Sequence, residues 1–126
     1  MPECYPVTKR TVLVPAFCII FQTAVRKGNA VSYITFENVT KEYHTGGETV
    51  LAANNVCFEM EKGELSVVLG PSGAGKTTIL NLLGGMDRVT SGKIIVDGKE
   101  ITSLTGRELT EYRRLDVGFV FQFYNL

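Results

Sequence analysis

Neither sign of charge is in excess: Lys plus Arg and Asp plus Glu stand at 13 each in 126 residues. No strong field therefore draws the chain to nucleic acid or to an anionic membrane surface. Histidine is limited to His44, so no imidazole cluster can form and a solvent-facing ring is expected. The cysteines Cys4, Cys18 and Cys57 are odd in number, far apart and without a CxxC pairing. That pattern points to neither a disulfide framework nor a zinc site, and it fits a reducing compartment. Internal repeats and low-complexity tracts are missing as well. A chain of 126 residues holds one modest domain, or part of one.

Residues 1–31 differ in character from the rest of the chain. Lys9 and Arg10 precede an apolar stretch, Thr11 to Ala24, which Pro15 and Gln22 interrupt and Arg26 and Lys27 follow. The stretch falls short of the roughly twenty apolar residues that a spanning helix needs, yet its layout resembles a signal peptide. An export signal, a membrane-surface anchor and translated upstream sequence are the three readings. The third is favoured, because the regular part of the chain opens abruptly at Val31-Ser32-Tyr33 and valine is what an internal GTG start codon encodes. Residues 1–31 are thus expected to be an atypical extension, misassigned at its start or disordered, ahead of a domain at 32–126.

The most informative stretch is Gly70-Pro71-Ser72-Gly73-Ala74-Gly75-Lys76-Thr77, a GxxxxGK[ST] loop between an apolar run, Leu65 to Leu69, and a helical run, Thr77 to Leu83. Glycines at 70, 73 and 75 allow the backbone to turn successive N–H groups inward around an anion. The helix beginning near Gly75 adds its N-terminal N–H groups and the positive end of its dipole. Lys76 brings a mobile positive charge for β- and γ-phosphate oxygens, Thr77 a hydroxyl for the accompanying Mg²⁺, and Thr78 a donor for the α-phosphate. The chain is built to hold a nucleoside triphosphate.

Around the loop the pattern predicts an α/β arrangement. Tyr33 to Val39 alternates as a half-buried strand does, Gly46-Gly47 marks a turn, and Val50 to Met60 forms a second strand broken at Asn54-Asn55. Leu65 to Leu69 reads as a strand buried on both faces. A helix from Lys76 ends at Gly84-Gly85, Lys93 to Val96 is a strand, and Asp97-Gly98 gives a tight hairpin turn. Thr105 to Leu115 reads as a surface helix with a solvated charged face at Arg107, Glu108, Glu111, Arg113 and Arg114. Val117 to Phe121 reads as a last strand, ending at Gln122.

Several pieces set beside the loop name a family. Tyr43, Gly63-Glu64, Asn81 to Asp87, Ser91-Gly92 and Gly118-Phe119-Val120-Phe121-Gln122 together resemble the first half of an ATP-binding cassette (ABC) transporter nucleotide-binding domain, of the lipoprotein-releasing and macrolide-exporter type. The resemblance runs from about Tyr33 to Leu126. It implies a P-loop NTPase fold, with an incomplete RecA-like core and an ABC-type antiparallel β-subdomain. It assigns ATP and Mg²⁺ to residues 70–78 (Walker A), stacking on adenine to Tyr43, and Mg²⁺ and water positioning with coupling to Gln122. A membrane permease and a second nucleotide-binding domain are the implied partners, at the cytoplasmic face of the membrane.

The LSGGQ signature, the Walker B strand with its catalytic glutamate and the switch histidine of that family do not occur in these 126 residues. Glu100, Glu108 and Glu111 lie in or beside the small β-region and surface helix, so none is expected to act as the base. Hydrolysis by this chain alone is expected to be absent or very slow. An open edge on the loop strand is expected to make the isolated chain poorly soluble or partly molten. Three alternatives stand beside the ATP-binding subunit. A small P-loop kinase or GTPase lacks its base-specificity motif or acceptor lid here, a truncated fragment binds nothing in vivo, and a membrane-anchored or secreted binder would use residues 11–25. On the favoured reading of the extension, peptide mass spectrometry of the native protein recovers no peptide spanning Cys4 to Arg26; recovery of such peptides overturns the misassigned start.

Overall fold

The computed structural model describes residues 32–119, together with the backbone of two short strands, Val12–Val14 (β1) and Phe17–Gln22 (β2). The alternating pattern at Tyr33 is the start of a longer element. Strands Ser32–Thr45 (β3) and Glu48–Glu61 (β4) form an antiparallel ribbon closed by Gly46-Gly47, whose positive φ values of 59° and 86° favour glycine. The break expected at Asn54-Asn55 is a bulge inside a continuous strand. The register steps between Val39↔Val56 and Lys41↔Ala53, and Asn55 absorbs a φ of 51°. A bulge on the facing strand falls between Phe36 and Val39, where Asn38 takes a φ of 48°.

The other edge of β3 carries Ser91–Val96 (β6), which turns at Asp97-Gly98 into Lys99–Glu100 (β7), giving the order β4-β3-β6-β7. A second sheet has the order β1-β2-β5, where β5 is Val67–Leu69 and pairs antiparallel with β2 at Ile20↔Leu69 and Gln22↔Val67.

Two helices add to the core: Lys76–Leu83 (α1) and Gly106–Leu115 (α2). Ile79 and Leu82 from α1 and Leu109 and Tyr112 from α2 join Phe36, Val39, Val56, Phe58 and Ile94 in one buried cluster. Phe36 and Phe58 face each other across the ribbon and stack, with centroids 4.2 Å apart and planes inclined by 21°. Such a pair contributes about 0.5–1.5 kcal/mol beyond the burial of its area. The end of α1 is held by its neighbour: Tyr112 donates its hydroxyl to the Leu83 carbonyl at 2.9 Å, and the Arg113 guanidinium donates to the Gly85 carbonyl. Burial, with smaller contributions from Asp116 and Tyr33, pushes the Tyr112 hydroxyl up to about 12, so it remains a donor.

Four expectations are corrected. Arg113 is not simply part of a solvated face, because the open carbonyls at a helix end attract a cationic donor. Val67 and Leu69 are 47% and 45% exposed, because no layer covers the outer face of β5 among the described residues; Val68 alone of that strand packs on the core. Val117–Phe119 is not a strand, since none of the described strands pairs with it, and residues 120–126 lie outside the described ones. Cys57 is disulfide-bonded, where cysteine spacing indicates no framework. The core makes a direct prediction. Phe36→Ala lowers the free energy of unfolding by about 3–5 kcal/mol in urea titration; a loss below about 1 kcal/mol would show that the ribbon and helices do not unfold together.

Candidate functional site

The GxxxxGK[ST] loop joins β5 to α1. Gly73 and Gly75 take φ values of 82° and 85°, and a turn closes inside the loop where the Ala74 N–H donates to the Pro71 carbonyl at 3.1 Å. Ala74 is buried, which anchors the loop, while Ser72 and Thr77 are exposed and Lys76 and Thr78 half-buried. The Lys76 ammonium folds back over the loop and donates to the carbonyls of Gly70 and, at 2.8 Å, Pro71. Residues 70–78, which the sequence groups by adjacency, thus form one curved unit with a cation over it.

The two helices begin in opposite ways. Thr105 and Glu108 close a full capping box on α2, with Thr105 accepting from the Glu108 N–H and Glu108 accepting from the Thr105 N–H. Hydrogen bonding at Thr105, backbone first and then side chain, holds the Glu108 carboxyl below its ordinary value. At α1 no side chain caps the helix, and its first turn has no acidic residue. The amide donors there, the dipole and Lys76 all favour an anion.

Gly75 is fixed by a close approach. A Cβ at this position would overlap the Ala52 carbonyl oxygen. Ala52 is the extra residue of a further bulge, since the register steps from Lys41↔Ala53 to Glu42↔Leu51 and leaves it without a partner on β3. A bulge re-aims the backbone at such a point, and here its carbonyl meets the start of α1.

Beyond that bulge the ribbon carries Tyr43, opposite Val50 and 37% exposed. Its hydroxyl donates to Asp87 Oδ2 at 2.6 Å, and the Lys41 ammonium lies 4.8 Å from its ring centroid. The same ammonium donates to Asp87 Oδ1 at 2.9 Å and to the Arg88 carbonyl at 2.7 Å. The hydrogen bond to Asp87 raises the Tyr43 pKa above 10.0, with burial and the carboxylate charge adding to it, while the Thr78 side chain pulls the other way. Tyr43 therefore stands beside the loop helix. Burial pushes the Asp87 carboxyl up, but hydrogen bonds from Tyr43, Lys41 and the Arg88 N–H outweigh it and leave it below 3.8.

The structure brings Tyr43 to residues 70–78, and Gln122 lies outside the described residues. Sequence reasoning missed Lys41 and Asp87. The spacing of Lys41 and Tyr43, two apart on one strand, was a signal for the first, since such residues share a face. Among the described residues no group of His, Cys, Asp and Glu is arranged to hold a metal ion. A cation on this site would be taken by the Thr77 hydroxyl together with phosphate oxygens, the hard oxygen donors that Mg²⁺ prefers.

Comparison with known proteins gives a consistent picture. The profile of the ABC transporter family matches residues 53–126. The methionine import ATP-binding protein MetN 2 of Bacillus cereus is 47% identical over 93 residues, covering 74% of this chain and 27% of that protein. The lipoprotein-releasing system ATP-binding protein LolD of Buchnera aphidicola is 39% identical over 89 residues, covering 71% and 39%. Among solved structures, the ATP-binding cassette MJ0796, dimeric in a post-hydrolysis state with ADP and Pi, superposes with a TM-score of 0.66 at 39% identity, covering 74% of this chain and 40% of its own. An uncharacterized ABC transporter ATP-binding protein of the same designation is that of Methanocaldococcus jannaschii. The chain spans 27% to 40% of the length of these proteins.

The depressed Asp87 carboxyl fixes a pH dependence. A carboxylate whose pKa falls on folding stabilises the fold above its unfolded value, and that contribution disappears as the pH drops through the folded one. The stability difference between the parent chain and Asp87→Asn, followed by urea midpoint, is therefore expected to be full at about pH 6 and to close as the pH falls below 3.8. A difference that stays constant down to acid pH would show that the carboxylate charge has no part in it.

Proposed function

We propose, from the premise that the chain belongs to the ABC transporter family, that it is the triphosphate-binding part of an ATP-binding subunit, one that takes Mg-ATP to drive transport through a membrane permease. The observation that carries this is the contrast between the helices: α2 caps itself, while α1 offers an uncapped N-terminus with a lysine folded over the loop. A phosphate oxygen is a stronger acceptor than a carbonyl, so Lys76 transfers its donors from Gly70 and Pro71 to β- and γ-phosphate oxygens. The N–H groups of residues 73–78 surround the phosphates, and Thr78 takes the α-phosphate. Thr77 and, following the family resemblance, Gln122 would hold Mg²⁺, which would supply positive charge to offset that of the phosphates. Tyr43 offers its ring to adenine, since base stacking on an aromatic face asks little of sequence.

Hydrolysis is not assigned to the acidic residues of this chain. Glu108 is engaged in the cap of α2, Glu100 accepts from Thr102, and Glu111 pairs with Arg114. The partners proposed are a permease and a second copy of the nucleotide-binding domain. MJ0796 is dimeric in its solved structure, and the names of MetN 2 and LolD place those proteins in import and release systems. Among the described residues no helix is long and apolar enough to cross a membrane. The proposed location is the cytoplasmic face, reached through the permease. The division into an extension at 1–31 and a domain at 32–126 belongs to the same proposal; the regular ribbon that opens at Ser32 supports it, while the pairing of β2 with β5 ties part of the extension to the loop strand.

Lys76→Ala tests the loop. Loss of a charge-assisted contact is worth about 1.5–3 kcal/mol, so ATP affinity by calorimetry falls roughly 10- to 150-fold with the circular dichroism spectrum retained. Unchanged affinity would remove the loop from the site.

A further inference from the structure

Resting on the triphosphate-binding reading above, we infer that Lys41 and Asp87 are positioning residues that fix the Tyr43 ring for stacking against a nucleobase. Tyr43 projects from the turn end of a two-stranded ribbon, where an aromatic side chain ordinarily keeps its rotamer freedom and loses it only when a ligand arrives. Here both the tip and one face of the ring are already held. The hydroxyl is anchored on Asp87 Oδ2 at 2.6 Å, and Lys41 lies over the ring at 4.8 Å from its centroid.

Lys41 is itself held, which is what makes it a positioning group. Its ammonium has two acceptors, Asp87 Oδ1 at 2.9 Å and the Arg88 carbonyl at 2.7 Å, and its side chain is only 13% exposed. Asp87 thus uses one oxygen for the ring and the other for the cation on the ring. Because Lys41 occupies one face, a base is directed to the opposite one. The cation also draws π-electron density toward its own side, which suits stacking of an electron-rich purine on the other.

The Asp87 segment is tied to the strand that carries Tyr43. The Thr90 N–H donates to the Thr40 carbonyl at 2.8 Å, and the Glu42 N–H donates to Thr90 Oγ1 at 2.9 Å. The turn after α1 therefore holds Asp87 in register with the ribbon. Base and phosphate sites are linked through α1 itself, which has the phosphate loop at its start and leads into Asp87 at its end.

The test compares ATP with inorganic tripolyphosphate, which has the charge but no base. Affinities of both are measured by calorimetry on the full chain, for the parent and for Tyr43→Phe, Asp87→Asn and the double variant, with folding checked by circular dichroism. The ratio of ATP to tripolyphosphate affinity is expected to fall about three- to tenfold in each single variant, the range set by freezing one side chain on binding. It should fall no further in the double variant, because the two changes break one link. Tyr43→Phe keeps the ring and its packing, so it stands even where Asp87→Asn is destabilised. An unchanged ratio, or single effects that multiply in the double variant, overturns the positioning role. A parent chain that binds ATP no better than tripolyphosphate overturns base stacking and the positioning with it. A parent chain that binds neither overturns the triphosphate-binding reading itself.

Discussion

The arrangement depends on one steric constraint, the contact between Gly75 and the Ala52 carbonyl. With φ at 85° and a backbone oxygen where a Cβ would stand, this position accepts glycine alone without displacement of the ribbon. The contact seats the junction of loop and helix on the ribbon at the point where β4 bulges. The same ribbon buries Phe36, Val39, Val56 and Phe58 toward one end and presents Tyr43 toward the other. Core packing therefore sets the distance between loop and aromatic ring.

Around that contact the connecting segments are fastened mainly by side chains that meet backbone groups. The turn after α1 is fixed to β3 through Thr90, and Lys41 adds the Asp87 and Arg88 contacts. The carbonyls at the end of α1 are taken by Tyr112 and Arg113. Gly92 is a second place of close approach, where a Cβ would overlap the Asn38 carbonyl at the bulge of β3. The bulges at Ala52 and Asn38 thus sit where the ribbon receives another segment. The Lys41–Asp87 pair is half-buried, and its worth lies in geometry more than in net stabilisation, because the cost of desolvating two charges offsets much of their attraction.

Much of this was legible in the sequence, for identifiable reasons. The ribbon, α1, the Asp97-Gly98 hairpin and α2 follow from alternation, glycine placement and charge patterning, all of them local signals. The loop and Tyr43 were legible through a motif and through family resemblance. The bulges at Asn38 and Ala52 were not, and the one at Asn55 read only as a break, since all three interrupt register without interrupting the strand and only pairing reveals them. Burial of β5 was overestimated because an apolar run reports what a strand is suited to, while exposure depends on what covers it. Asp87 was invisible because its partners, Lys41 and Tyr43, are distant in sequence and meet it only after folding.

The uncapped start of α1 ties occupancy to folding. An eight-residue helix is too short to persist by its own hydrogen bonds, and Ile79 and Leu82 hold its core face while nothing of its own fastens the first turn. Any guest that takes those amides adds its binding energy to the cohesion of the helix, so that thermodynamic linkage makes local order at residues 70–78 a function of ligand concentration. The capping box of α2 makes that helix independent of such a supply. The domain thus has one helix that is open at its start to whatever anion the loop takes and another that is closed by its own side chains.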